Sequence, residues 1–485
     1  MDRNYKKRAG DMSGKAIFLL LVVSSMMATP LRVAAETLDQ LRVLDLETAQ
    51  RIALADNPTL AAAAERVEAA RQRIDQARAL YWPSIDASTS AAASRLSEND
   101  AASQSLLLSG VDVDRDNETY QLSLAASWLL FDGFSRKFSN LIADYGQQES
   151  EQARRDGMRL LLQSVAESYY GAQLALSNKA IAEADFKFNA QQLAEARIRM
   201  ELGAGALSEV LNFQVQMNNA RSDILIAERD YELAFSGLAV LLGRKSGQMP
   251  EGLALAKVEM VEEEQFYELS PEQLLQTALS HRPDLLGQEV NLQQAESTVG
   301  VNQAALYPKV SLNGSVDGNR ADDVDFEGAD FGSALSLNLS CNLFRGGGDQ
   351  ARIAEARASK REVARLLEQQ RNKVSSEVRQ AITRLEQARQ QLLLQRASEQ
   401  LVEQTRDLVQ EGYRAGQESL SRLNEVQRDL VRTQSRLALA LVALYTNRQG
   451  LTTATGESLI PYLKGDQTAA NTPQEPAESS GQATY

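Results

Sequence analysis

The chain has one cysteine, one histidine, two tryptophans and ten prolines among its 485 residues. One cysteine cannot close an internal disulfide, and a lone histidine beside it makes no cluster for zinc or iron. A Ser-His or Cys-His relay is limited to a single possible place, so no catalytic centre, metal or cofactor is expected. Scarce proline and an aromatic content of 6% speak against an all-β or turn-rich architecture and for long helices. Basic charge is in deficit too, 51 Lys and Arg against 65 Asp and Glu, leaving −14 at pH 7. That balance argues against a nucleic-acid partner, which needs a basic face to displace phosphate counterions. With 43% hydrophobic residues the chain can still bury a sizeable core.

Arg3, Lys6, Lys7, Arg8 and Lys15 precede an apolar run from Ala16 to Ala28, and Val33-Ala34-Ala35 stands before Glu36. Basic, apolar and small residues in that order have the form of a secretory signal over 1–35. The apolar run is too short to span a bilayer as a helix, and no cysteine stands at the cleavage point. Neither a helical anchor nor a lipoprotein is favoured.

The sequence repeats itself. Asp56-Asn57-Pro58 and His281-Arg282-Pro283 are 225 residues apart, as are Tyr81-Trp82-Pro83 and Leu306-Tyr307-Pro308. Leu130-Phe131-Asp132-Gly133 and Leu343-Phe344-Arg345-Gly346 are 213 apart, as are Gly203 and Gly416. Two related halves follow, over 36–268 and 269–464, the first with a longer loop before Phe131 and the second trailed by a disordered Gly/Ser/Thr/Pro tail over 465–485.

Within each half the hydrophobic period switches. Val210, Phe213, Met217, Ala220, Ile224, Ala227, Tyr231, Ala234 and Leu238 recur three and four apart, as do Leu423, Val426, Leu430, Thr433, Leu437, Ala440 and Leu444. These are heptad seams, and matching ones run through Met158 to Leu176 and Val374 to Leu392. They predict long helices over about 135–202, 208–242, 348–415 and 420–450. The first would be about 100 Å long.

Tyr120, Leu122, Leu124, Ala126, Trp128 and Leu130 instead alternate with mostly small or polar residues, as do Leu335, Leu337, Leu339, Cys341 and Leu343. Period two predicts strands over about 120–131 and 331–344, with weaker partners at 84–94 and 309–317. Such lengths cross a bilayer as tilted strands, and Trp82, Trp128, Phe131, Tyr307 and Phe344 fall where an aromatic girdle would stand. The connecting loops are acidic, six acids against two arginines in 95–119 and six against one in 317–330. Lipid does not tolerate an open sheet edge, and four strands cannot close a barrel. The chain must therefore be completed by copies of itself, and three copies supply twelve strands.

By these features the sequence resembles the TolC family of outer-membrane efflux and secretion channels, over nearly all of 44–456. Leu44-Asp45-Leu46-Glu47, Asn57-Pro58, Tyr81-Trp82-Pro83, Leu130-Phe131-Asp132-Gly133, the segment around Gly203 and their second copies carry the resemblance together. It implies a mainly α fold with a small membrane β part: a homotrimer whose twelve-stranded barrel continues into a long periplasmic α-barrel. Partners implied are outer-membrane lipid, a periplasmic adaptor (membrane fusion) protein and an inner-membrane pump, ABC or proton-driven. The implied function is an exit duct of a tripartite efflux or type I secretion system.

Gly203 to Val210 aligns with Gly416 to Leu423 at the helix turns. Glycine lets the chain reverse there, and Ser208 or Ser421 could accept from the next helix's first amides. The resemblance adds adaptor docking at Gly203, Leu207, Ser208, Gly416, Leu420 and Ser421, and a gate built from Glu209, Tyr413, Glu418, Arg422 and Glu425. Arg422 stands where drug-exporting members often have an acid, and Glu418 where a base can occur, a departure from the usual closing pattern. His281 reads as a helix-end residue, and Cys341 as a small hydrophobe on a strand's apolar face. Asp317, Asn319, Asp322, Asp323 and Asp325 crowd one loop without EF-hand spacing. The competing reading is an exported coiled-coil scaffold or adhesin without a membrane span.

Overall fold

The computed structural model describes residues 38–107, 115–258, 270–321 and 323–462. The expected leader, the tail, the junction near 268 and Asp322 lie outside these residues. In chain order the elements are β1 (Val43–Leu44), α1 (Leu46–Asp56), α2 (Pro58–Ala79), β2 (Ser84–Arg95), α3 (Glu98–Leu107), β3 (Asp116–Phe131), α4 (Ser135–Glu201) and α5 (Leu207–Leu241). There follow β4 (Ala254–Leu255), α6 (Pro271–His281), α7 (Pro283–Ala304), β5 (Lys309–Ala321), β6 (Phe331–Ser340), α8 (Gly348–Arg414) and α9 (Leu420–Thr455).

The helices α4 and α8 have 67 residues each, about 100 Å at 1.5 Å per residue. Each folds back on its successor, α4 on α5 and α8 on α9, as an antiparallel coiled coil. The buried side chains are those of the heptad seams: Leu162, Val165 and Tyr169 on α4, Val210, Phe213 and Leu238 on α5, Val374 and Val378 on α8, Leu423, Leu430 and Leu444 on α9. Fully burying each such side chain contributes about 1.5–3 kcal/mol. The remaining faces are largely Gln, Glu and Arg, so the buried seams are what bring the helices together.

Four shorter helices give no long heptad signal, but their starts are written in the sequence. Asp45 caps α1 through the Thr48 amide at 2.7 Å, and Asn57 caps α2 through the Thr59 amide at 2.9 Å, ahead of Pro58 in the first turn. Ser270 caps α6 the same way before Pro271, and α7 also opens on a proline. Proline is favoured there because its missing N–H would have no helical partner. Asn57 Nδ2 also donates to Leu241 O at 3.0 Å, and Arg282 Nη1 to Ala454 O at 3.3 Å. Those pairs stand at the two offsets that relate the halves.

The strands form one antiparallel sheet in the order β2-β3-β5-β6, and a two-residue parallel pair joins β1 to β4 near the helices' middle. Boundaries differ from the sequence expectation. β3 begins at Asp116 because Arg95 pairs with Asp116, the two side chains bridging at 3.3 Å. β5 runs on to Ala321, opposite Thr119. β6 stops at Ser340, whose partner Lys309 is the first residue of β5 after Pro308. Cys341 to Phe344 therefore have no strand to pair with among the described residues, and Cys341 lies exposed just past β6.

Candidate functional site

Two regions could act on something outside the chain: the sheet and the helix turns at the opposite end. In-register partners put Ile85, Ala126, Gly314 and Leu335 on one face of the sheet, with Leu124, Trp128, Val316, Leu337 and Leu339 beside them. That face is bare: Leu335, Leu337 and Leu339 are 78%, 67% and 72% exposed. The other face is a polar lattice. Ser123 Oγ donates to Asp317 at 2.5 Å, Ser315 Oγ to its other oxygen at 2.7 Å, and Ser127 Oγ to Asn313 Oδ1 at 2.9 Å. A sheet with one lipid-like and one wetted face, exposed on both, has the alternation of a barrel wall.

The five residues expected to form a girdle all fall at the end of the sheet nearest the helices. Trp128 Nε1 donates to Tyr81 O at 2.9 Å, and Phe131, Phe134 and Tyr307 stack edge to face with centroids 5.4 and 6.3 Å apart. Trp82 and Phe344 project freely, 76% and 83% exposed. Beneath them Arg136 binds Asp132 at 3.2 Å and donates to Leu80 O and Leu130 O, fixing the end of α2 and the end of β3 to α4. The sequence reading missed this buried pair, although Asp132 and Arg136 stand four apart at a helix start.

In the acidic loop Arg320 bridges Asp323 at 2.7 Å and Asp330 at 3.0 Å. The hydrogen bonds from Arg320 and from the Asp325 amide hold the Asp323 carboxyl below its ordinary value. The space between these carboxylates is taken by a guanidinium, and among the described residues no group of three or more ligating side chains could hold a metal.

At the far end Gly203 and Gly416 turn the two hairpins at φ +77° and +74°, a region in which only glycine is unstrained. Of the residues expected to dock an adaptor, Leu207 and Ser208 are exposed there, as is Ser421, while Leu420 is half-buried. Neither Ser208 nor Ser421 caps a helix, contrary to expectation. The N-cap positions are Ala206, which has no side-chain acceptor, and Ser419, whose Oγ accepts from the Arg422 amide at 3.2 Å. Both expected serines sit inside the first turn. Ser419→Ala should accordingly cost about 1 kcal/mol, and Ser208→Ala or Ser421→Ala less than about 0.5 kcal/mol, read from thermal melting by circular dichroism.

Two of the expected gate residues meet through one that the sequence did not announce. Arg199, on α4, lies over the Tyr413 ring at 4.8 Å, donates to its hydroxyl at 3.0 Å and stands 4.0 Å from Glu209. Tyr413 also packs on Phe213 in an apolar cluster with Leu193, Ala196, Val210, Leu423 and Val426. Burial and the Glu209 charge raise the Tyr413 phenol above its ordinary value, against Arg199. Arg422 and Glu425 pair with each other at 2.8 Å on the exposed face of α9, and Glu418, whose charge reaches Arg422, packs against Gly412.

Behind this cluster the seam between the hairpins turns polar. Gln427 on α9 donates to Asp185 on α4 at 2.7 Å, and burial pushes the Asp185 carboxyl up. Gln192, fully buried, has neither amide atom hydrogen-bonded among the described residues. A buried amide left so costs about 1–3 kcal/mol.

The same fold occurs in known channels. The Campylobacter jejuni CmeC outer membrane channel superposes with a TM-score of 0.74 at 17% identity, covering 87% of this chain and 89% of that one. The fold is thus that of TolC-like channel subunits, predominantly helical. In sequence the chain is similar to Protein CyaE of Bordetella pertussis, 27% identical over 437 residues, 89% of this chain and 87% of that protein. It is similar also to the pyoverdine export outer membrane protein OpmQ of Pseudomonas aeruginosa, 26% identical over 424 residues and 85% of each. Residues 50–244 and 274–457 match the model of the outer membrane efflux protein family. The chain belongs to that family, one of outer-membrane efflux channels rather than enzymes.

Proposed function

We propose that three copies close their sheets into a twelve-stranded barrel across the outer membrane, and that their helical hairpins form one periplasmic tube below it. The single observation that carries this reading is the four-stranded sheet with an apolar face, a polar face and two unpaired edges, β2 and β6, which lipid would not tolerate. The helices support it independently. Leu211, Val215, Leu225 and Leu233 on α5, and Leu394, Leu401 and Leu408 at heptad spacing on α8, are 54–70% exposed. Stripes of that regularity fit a neighbouring coiled coil.

The tube passes solute or polypeptide delivered by an inner-membrane pump, and the turns at Gly203, Leu207, Ser208, Gly416, Leu420 and Ser421 meet the periplasmic adaptor. Arg199, Glu209 and Tyr413 hold the tips together in the closed state. Arg422, Glu425 and Glu418 line the tip without taking part in that contact. The protein mass of the detergent-extracted outer-membrane protein, corrected for bound detergent, should be three times that of the chain. A monomer that is soluble without detergent would overturn the duct and favour an exported scaffold.

A further inference from the structure

The two halves of the chain are related closely enough to show how one copy meets the next. Position 84 pairs with 127 and position 85 with 126 across β2 and β3. Moving the first strand by 225 and the second by 213 gives 309 with 340 and 310 with 339, and those are the observed partners of β5 and β6. The repeat thus reproduces a strand register residue for residue. The same shift applied to the remaining pair, β3 with β5, has no counterpart within the chain, since it carries β3 onto β6 and β5 back onto β2 at the opposite edge of the sheet.

We infer that β6 of one copy pairs antiparallel with β2 of the next in this register: Ser340 opposite Ser88, Leu337 opposite Ala91, Ala334 opposite Ser94. This rests on the trimeric reading and specifies its seam. The inferred pairs derive from Ser127 with Asn313, Leu124 with Val316 and Gln121 with Asn319. Each keeps apolar beside apolar face and polar beside polar, which a slip of one residue would reverse.

The seam also accounts for three exposed features. In β3 the last residues, Trp128 to Phe131, are held by β5 and not by β2. Their counterparts Cys341 to Phe344 lack a partner strand among the described residues, and Leu343 and Phe344 are 93% and 83% exposed. The β2 strand of the next copy extends them. Gly133, after β3, sits so close to Ala304 and Tyr307 that an added Cβ would lie 2.5 Å from Ala304 O and 2.7 Å from Tyr307 Cβ. Its counterpart Gly346 has nothing within 4 Å. Shifting Ala304 and Tyr307 by 225 gives Ala79 and Trp82, the most exposed aromatic at this end of β2. Trp82 of the next copy seats on Gly346, and the glycine at 347, where the first half has Phe134, leaves room for an indole in place of the smaller phenol.

The test uses the full chain in outer membranes, with Cys341→Ser as background. Directly opposed Cβ atoms lie about 4.5–5.5 Å apart and diagonal ones about 7–8 Å, while a disulfide needs about 3.5–4.5 Å. Ser88→Cys with Ser340→Cys, both on the polar face, should oxidise to dimers and trimers on a denaturing gel that collapse on reduction. Ser90→Cys with Ser340→Cys should not. As a second probe, a benzophenone amino acid at Trp82 should label residues 344–349 of another copy. A protein of trimeric mass that cross-links at 90 instead of 88, or labels elsewhere, overturns the register and leaves the trimer standing. A monomeric parent protein overturns both.

Discussion

Replacing Arg282 with alanine is expected to destabilise the folded chain by about 3–5 kcal/mol, as for other buried charges stripped of their partner. The Arg282 side chain is 2% exposed and joins three helices: it binds Asp284 at the start of α7 at 2.5 Å, Glu377 on α8 at 2.5 Å and the Ala454 carbonyl at the end of α9. Arg159 on α4 stands 3.9 Å from Asp284 and donates to Thr453 O, so α4 meets α7, α8 and α9 there. Glu377 is 37% exposed and water can partly replace its partner, which places the loss nearer the lower bound. Lysine at 282 should recover little, because one ammonium cannot hold two carboxylates and a carbonyl in a fixed fork. Acid separates this effect from simple loss of packing. Burial alone would raise the Asp284 carboxyl, but the hydrogen bonds and charge of Arg282, aided by Arg159, hold it below its ordinary value. A depressed carboxylate contributes stability above its unfolded pKa of about 3.9 and loses it as pH falls through the folded value. The gap in melting temperature between parent and Arg282→Ala should therefore be full near neutrality and narrow in strong acid. A constant gap would assign the loss to packing.

The seams of this molecule were legible because burial in a coiled coil depends on residues three and four apart, and Phe213, Leu238, Val378 and Leu423 are buried where that spacing puts them. The shorter helices went unread in the sequence, although Asn57-Pro58 and Ser270-Pro271 mark two of their starts, since α2 is mostly exposed Ala, Gln and Arg and has little stripe to read. Strand ends were not legible, because what stops β6 at Ser340 is the start of β5 after Pro308 and not any residue of β6. At the tips an error of two residues was enough to move a cap from Ser419 to Ser421. Arg199 was missed for a different reason. Its partner Tyr413 is 214 positions away, and nothing local distinguishes it from other arginines on the same solvated helix.

That contact is where the largest functional effect is expected. Arg199→Ala should shift the tips toward the open state, seen as a higher resting conductance in planar bilayers and as uptake of polar dyes by cells carrying the variant. Arg199 links α4 to α8 by a charged hydrogen bond and by its position over the Tyr413 ring, and a charged hydrogen bond contributes about 1.5–3 kcal/mol net. At 1.4 kcal/mol per tenfold, its loss moves the closed-to-open ratio by roughly 10- to 100-fold in each subunit. Tyr413→Phe keeps the ring and its packing on Phe213 while removing the hydroxyl, so it should open the tip less than Arg199→Ala does. Glu209→Gln should have the smallest effect of the three, since the carboxylate is 4.0 Å away. The bridge between Arg414 and Glu195 crosses the same seam at 2.9 Å but is 45% and 34% exposed, and exposed pairs contribute little. Arg414→Ala should leave the conductance near that of the parent. A series in which Arg414→Ala leaks as much as Arg199→Ala would mean that net charge at the tip closes the duct. A series in which neither leaks would reduce the Arg199 contact to ordinary packing between hairpins. The ranking, rather than any one value, distinguishes a gate held by one half-buried arginine from a seam held by its whole length.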